Sequence, residues 1–219
     1  MNRLFLLGLF TIALFMTMPC ALHAQQRCSS AAVFDYHDAD LIFVVPQRPN
    51  AITEVTQGSH SLAADHVAIM HRIGGRDGLP YAIEAIGRGV CLTPIDSFIA
   101  HNADSKLIVA RLLQVDAHAA VSGALRFVGR PYDFFYEPGD SALYCSELVQ
   151  LTIVRNDGMH IFETIPMSFH DSTGCITPYW TEFYSRHNRK VPEGAPGTNP
   201  TQLLHAAQAL KSIIYQFDQ

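Results

Sequence analysis

The chain has 219 residues, 48% of them apolar and 16% charged, with a formal net charge of -5. That composition is enough for one buried core and excludes a chain disordered over most of its length. No Lys/Arg cluster occurs, which argues against nucleic acid or anionic lipid as partners, while 11 His beside 15 Lys+Arg keep general-base and metal chemistry open.

At the start, Met1-Asn2-Arg3 precedes an uncharged apolar run from Leu4 to Met18, and Leu22-His23-Ala24 has the small-residue pattern of a signal-peptidase site. A helix over that run spans about 22 Å, short of a ~30 Å hydrocarbon core. Residues 1–24 are therefore expected to be a cleaved export signal, with a retained membrane anchor as the weaker alternative. The Thr17-Met18-Pro19 context argues against lipidation of Cys20. The expected product is a single domain, residues 25–219, periplasmic or secreted and without stable membrane insertion. It retains Cys28, Cys91, Cys145 and Cys175. In an oxidising compartment these could form two disulfides, whereas a reactive thiol would leave at most one.

In chain order, Asp40 to Val45 reads as a short apolar strand ended by Pro46. Gln47 to Ala64 is polar and turn-rich. His66 to Met70 and Tyr81 to Ala85 are strand-like and are separated by the Gly74-Gly75-Arg76-Asp77-Gly78-Leu79-Pro80 turn. Thr93-Pro94 opens a short helix to Ala100, with Pro in the first helical position, and Lys106 to Leu113 is another strand. Beyond Leu113 the apolar period changes from two to 3.6. Asp116 is an N-cap for a helix carrying Ala117, Val121, Ala124, Leu125 and Val128 to Gly129, and a second helix runs from about Tyr144 to Val154. Val191 to Pro200 is a loop, and Asn199-Pro200 opens a last helix with Leu203, Ala207, Leu210 and Ile214 on one face. Strands first and helices after predict an α+β fold, an antiparallel sheet packed on segregated helices.

Chemistry concentrates at Tyr144-Cys145-Ser146-Glu147-Leu148-Val149, where a turn-rich stretch delivers a cysteine to the first turn of an apolar helix. The unpaired amides of a helix N-terminus favour a thiolate and offer oxyanion donors. The same cysteine would serve equally well as a buried apolar residue beneath Leu148 and Val149. A nucleophilic thiol needs a base and an orienting group. His66 opens one strand and Glu84 lies on the next, so a neighbouring antiparallel pairing can put both on one face; a one-residue slip would separate them. His60, His66 and His71 are close in sequence, yet extended geometry sets the first two about 20 Å apart and points His66 and His71 to opposite faces. With no H-E-x-x-H or C-x-x-C spacing, no metal site is expected. Cys28, Cys91 and Cys175 read as structural or disulfide-forming.

Together, Asp40-Leu-Ile-Phe43, Asp65-His66-Val-Ala-Ile69, Ile83-Glu84-Ala85, Gly89-Val-Cys-Leu-Thr-Pro94, Gly129-Arg-Pro-Tyr-Asp133 and Tyr144-Cys-Ser-Glu-Leu-Val149 resemble the circularly permuted papain-like amidases, the YaeF/YiiX group related to NlpC-type peptidases. The order His, acidic residue, Cys is that of the permuted form. The resemblance implies a small sheet packed against a helix that carries the nucleophile. It also implies Cys145 as nucleophile, His66 as base and Glu84 as orienter, with no cofactor. Asp65 is a departure, standing where relatives often carry Ser. The implied activity is hydrolysis of a peptide or N-acyl amide through a thioester. A lipid ester hydrolase or acyltransferase is the alternative within the fold, and a catalytically inactive ligand-binding module is the non-enzymatic one.

Overall fold

Leu41 to Pro46 forms β1, whose side chains are buried on both faces, as a continuous apolar run on a central strand requires. The computed structural model describes residues 34–139, 141–210 and 213–217; the expected export signal, Cys20 and Cys28 lie outside the described residues. After β1 come α1 (Ala51–Thr56), the β2–β3 hairpin (His66–Ile73, Leu79–Ile86), β4 (Gly89–Pro94), α2 (Ile95–His101) and β5 (Ser105–Arg111). Then follow α3 (Ala117–Leu125), α4 (Cys145–Thr152), β6 (Ile165–Pro166), α5 (Pro178–Arg186), β7 (Pro196–Gly197), α6 (Pro200–Ala209) and β8 (Ile213–Phe217). The main sheet is antiparallel, in the order β4-β3-β2-β1-β5-β8, and β6 pairs with β7 in a small second sheet.

Alternation along the strands sorts the core into two layers. Leu41, Phe43, Val67, Ile69 and Ile83 face α3, α4 and α6, where Ala120, Val121, Leu148, Val149, Leu203 and Leu204 meet them. Ile42, Val44, Ala68, Met70, Ala82 and Leu107 face the opposite way and are covered by Phe98 and Ile99 of α2. The fold is thus α+β, with the Cys145 helix packed on the central strands as expected.

Several elements depart from the sequence reading, each for a physical reason. The polar Gln47–Ala64 stretch contains α1, nucleated by an Asn50–Thr53 capping box that polar composition conceals. Gly89 to Pro94 is an edge strand, and Pro94 is the N-cap of α2 instead of its first residue, which leaves Thr93 on β4. α5 falls in a segment read without helix; Trp180 and Tyr184 form its buried face and join Met167 and Phe169 in a separate aromatic cluster. The last helix stops at Ala209, and Ile214 lies on β8 opposite Ala110. An apolar spacing of three and four residues can continue across a helix end without the helix doing so.

Candidate active site

Cys145 is the first residue of α4, preceded by extended Tyr144, and is only 5% exposed. Leu148 and Val149 anchor the helix in the core, so the first turn is held from below. It is also held from the side. The Tyr144 hydroxyl accepts the Thr198 N–H at 3.1 Å, and Thr198 Oγ1 donates to Ser146 Oγ at 3.1 Å. The approach to the helix is fixed by Asp133, whose carboxylate accepts the N–H groups of Phe135 (2.8 Å) and Glu137 (2.6 Å). This Asx-type turn belongs to the Gly129–Asp133 motif and presents Tyr132 and Tyr136 beside the thiol.

His66 opens β2 opposite Val44. The β2–β3 register sets Ile69 against Ile83 and Met70 against Ala82. Alternation then puts His66 and Glu84 on the same face, as diagonal neighbours instead of direct partners. His66 Nε2 and Glu84 Oε2 are 2.7 Å apart, and Glu84 Oε1 accepts a 2.5 Å hydrogen bond from Thr93 Oγ1. The His66 ring stacks against Phe98 of α2 at 6.0 Å. By this alternation His66 and Glu84 belong to the α2 side of the sheet, whereas Cys145 arrives on the helix packed against the other side. They meet where β2 begins, with His66 bonded to Glu84 and the Cys145 thiol near enough to His66 to shift its titration. With Nε2 on Glu84, Nδ1 is the nitrogen left for sulfur.

Electrostatics follow from this geometry. Burial disfavours a charged imidazole, but hydrogen bonds and charge from Cys145 and Glu84 outweigh it and push the His66 pKa up to about 10. Glu84 shows the complementary balance. Burial alone would raise its carboxyl, yet His66, Thr93 and Arg88 together hold it below the ordinary range. Asp65, beside His66, is raised mainly by burial, against the 2.5 Å hydrogen bond it accepts from Asn50 Nδ2. Burial likewise raises Tyr132 and Tyr136, with the nearby Cys145 adding to it, so both phenols stay protonated donors.

The structure thus brings Cys145, His66 and Glu84 together and scatters the histidines weighed as metal ligands. His60 stacks on His205 at 3.6 Å and His71 bonds Asp38 at 3.0 Å. Among the described residues no group of three His, Cys, Asp or Glu side chains could hold a metal ion. Cys91 and Cys175 are free thiols; Cys91 lies opposite Glu84 on β4, and Cys175 is exposed. Three further residues at the site were not singled out from the sequence, Tyr136, Thr198 and Trp180, and Thr93 was read only as opening a helix. Tyr132 lay inside a quoted motif without a role. Thr93 carries no local signal, because its contact with Glu84 exists only once β3 and β4 pair.

Beside the thiol lies a partly open pocket of about 50 Å³, walled by Ile52, Val55, Tyr136, Met167, Phe169 and Trp180. Tyr132, Ser146 and Thr198 line it with Cys145, and Thr56, Ser168 and Asn199 add further polar groups to its wall.

A cysteine at a helix start, a strand-borne histidine and an acidic residue, met in the order His, Glu, Cys on an antiparallel sheet, define a permuted papain-like arrangement. Residues 35–213 match the model of the permuted papain-like amidase enzymes, YaeF/YiiX, C92 family, and the chain belongs to that family. It is 28% identical over 172 residues to the uncharacterized protein YiiX of Escherichia coli (strain K12), covering 74% of this chain and 84% of the relative. The crystal structure of yiiX from Escherichia coli O157:H7, described as a metalloprotein, is similar in fold, with a TM-score of 0.63 and 22% identity over 84% of this chain and 97% of that one.

Proposed function

We propose that this protein is an exported cysteine hydrolase that cleaves amides, or the corresponding esters, through a thioester on Cys145. The observation that carries the reading is His66 held at 2.7 Å by Glu84 beside Cys145, which stands at the start of α4. In this mechanism the Cys145 thiolate attacks the carbonyl carbon, and the carbonyl π pair moves to oxygen. The Cys145 backbone N–H at the helix start stabilises that oxyanion. The His66 imidazolium passes its proton to the leaving nitrogen or oxygen as the bond to carbon breaks. Neutral His66 then takes a proton from water, whose oxygen attacks the thioester; the C–S bond breaks, the acid leaves and the thiolate returns. Glu84 holds the imidazole in the productive tautomer.

The pocket supports an apolar acyl group. Its wall is mostly aliphatic and aromatic and holds no charged side chain, so a charged peptide side chain would lose hydration there without an ionic partner. An N-acyl amide or lipid ester therefore fits better than a polar cell-wall peptide. Turnover of 4-nitrophenyl esters of increasing chain length tests this directly. Medium chains should exceed acetate in kcat/KM, a wild-type sample quenched during turnover should carry one acyl mass on Cys145, and Cys145→Ala should lose roughly 10⁴-fold or more. Turnover that survives in Cys145→Ala would overturn the hydrolase reading, and a flat chain-length profile would overturn the apolar acyl group.

A further inference from the structure

We infer that Thr93 is a positioning residue of this reaction: its hydroxyl fixes the carboxylate of Glu84, through which it acts on His66. The inference rests on the hydrolase reading above and extends it by one shell. Thr93 is 1% exposed on β4, where Ala82 pairs with Thr93 and Glu84 with Cys91, so Thr93 sits diagonally across from Glu84 on the same face. Its Oγ1 is 2.5 Å from Glu84 Oε1, while the other carboxylate oxygen is 2.7 Å from His66 Nε2. Each oxygen of the carboxylate therefore has one partner, and the carboxyl plane is pinned at both ends.

The direction of the hydrogen bond is settled by the inventory of groups. A threonine hydroxyl has one proton and two acceptor lone pairs, and a guanidinium can only donate. Arg88 Nη2 donates to Thr93 Oγ1 over a long 3.4 Å, so the hydroxyl accepts there and keeps its proton for Glu84. A chain of alternating polarity results, from Arg88 through Thr93 and Glu84 to His66 and Cys145. The branched Cβ also restricts χ1 on a strand, which holds the hydroxyl in place. Without that donor, Glu84 is a buried carboxylate with one oxygen unpaired, free to rotate and to take up a proton. The ring it orients would then lose part of its charge stabilisation.

The test compares wild type, Thr93→Val, Thr93→Ser and Arg88→Ala. Two measurements are made on each: ester turnover, and the pH dependence of iodoacetamide alkylation at Cys145 read by peptide mass. Valine keeps the shape and removes the donor; serine keeps the donor. Thr93→Val should lower kcat roughly ten- to hundredfold with KM changed less than twofold, and the alkaline limb governed by His66 should move to lower pH. Thr93→Ser should restore both, and Arg88→Ala should shift the limb in the same direction by less. A purely structural role would not move the limb. If Thr93→Val melts early, Thr93→Ala and Thr93→Ser are compared below both melting points: a shift in Ala alone supports the role, and equal profiles overturn it. Wild-type kcat and limb in Thr93→Val, while Cys145→Ala is inactive, would overturn the role of Thr93 and leave the hydrolase reading intact. A wild-type Cys145 that reacts no faster than Cys91 would overturn both.

Discussion

His66 carries two opposed demands, and its surroundings decide between them. Burial favours the neutral ring, yet contact with Cys145 and Glu84 lifts its pKa to about 10, above the ~6.5 of an unfolded chain. The native state therefore holds this proton more tightly, and the stability gained is complete below about pH 6.5 and lost as pH rises through about 10. Glu84, held low, works the other way: its contribution is present above the ordinary carboxylate range and is lost as pH falls through its folded value. Thermal melting against pH should show both flanks. In Cys145→Ala, which removes one of the two groups that raise His66, the alkaline flank should begin at lower pH; superimposable alkaline flanks would mean that His66 does not depend on the thiol. The Glu84 carboxylate can be probed by substitution as well. Residual turnover should fall in the order wild type, Glu84→Gln, Glu84→Ala, Cys145→Ala, because an amide oxygen can still accept from the ring. A Glu84→Ala variant that melts normally and turns over at the wild-type rate would assign the orienting role elsewhere.

Among the elements, the β3–β4 hairpin is tied both to the site and to the approach to α4. It delivers Glu84 and Thr93 to one face, and its turn end, where β4 begins, is also bonded to the segment that leads into α4. Gly129 N–H donates to Val90 O at 2.8 Å, and Val90 N–H donates to Arg130 O at 2.9 Å. That close approach requires Gly89. Its φ is +101°, and a Cβ there would lie 2.4 Å from the Arg130 carbonyl oxygen. Both strain and collision oppose any side chain, and the colliding atom is backbone that cannot swing away. Gly89→Ala should therefore destabilise the fold by more than about 1 kcal/mol, read from urea midpoints at constant m. Unchanged stability would show that the Arg130 segment is free to move from the hairpin. The hairpin's place at the site was only half legible in the sequence. Glu84 could be placed on the strand after His66, but Thr93 read as a helix cap because Thr-Pro before an apolar run is a sound start signal. Only pairing with β3 sends its hydroxyl to Glu84.

At the scale of the whole molecule, chemistry and binding rest on different cores. The three groups proposed to carry the reaction hang on the central sheet and α4, whereas Met167, Phe169 and Trp180, which wall the pocket, belong to a separate aromatic cluster with Tyr184. Trp180 ties this cluster to α1 by an Nε1–H bond to Ala51 O at 3.0 Å, and Tyr184 ties it to the tyrosine-bearing turn by a bond to Phe135 O at 2.8 Å. Trp180→Ala should cost about 3–5 kcal/mol of stability and raise KM for long-chain esters. Alkylation of Cys145 in the folded variant should keep its wild-type pH dependence. A changed pH profile with unchanged KM would reverse the division of labour. Export is tested separately: the secreted form should begin at Gln25, and a form that retains Met1 or carries a lipid on Cys20 would contradict the cleavage site.

What the sequence by itself determined was what local chemistry encodes. Apolar runs marked β1, β2 and β3, the Asp116 and Asn199 caps marked α3 and α6, and a turn-rich stretch before Leu148 and Val149 placed Cys145 at the start of α4. Those signals act within a few residues, so they survive without the rest of the fold. The order His66, Glu84, Cys145 was likewise legible, together with the family it resembles. Tertiary structure decided what depends on partners distant in the chain. Strand register brought Glu84 to His66, the meeting of two layers at one end of the sheet brought Cys145 to His66, and β8 claimed Ile214 from the helical pattern. The pocket wall was least legible of all. Tyr136, Met167 and Trp180 come from separate segments, two of them irregular, and no periodicity links residues that share only a cavity.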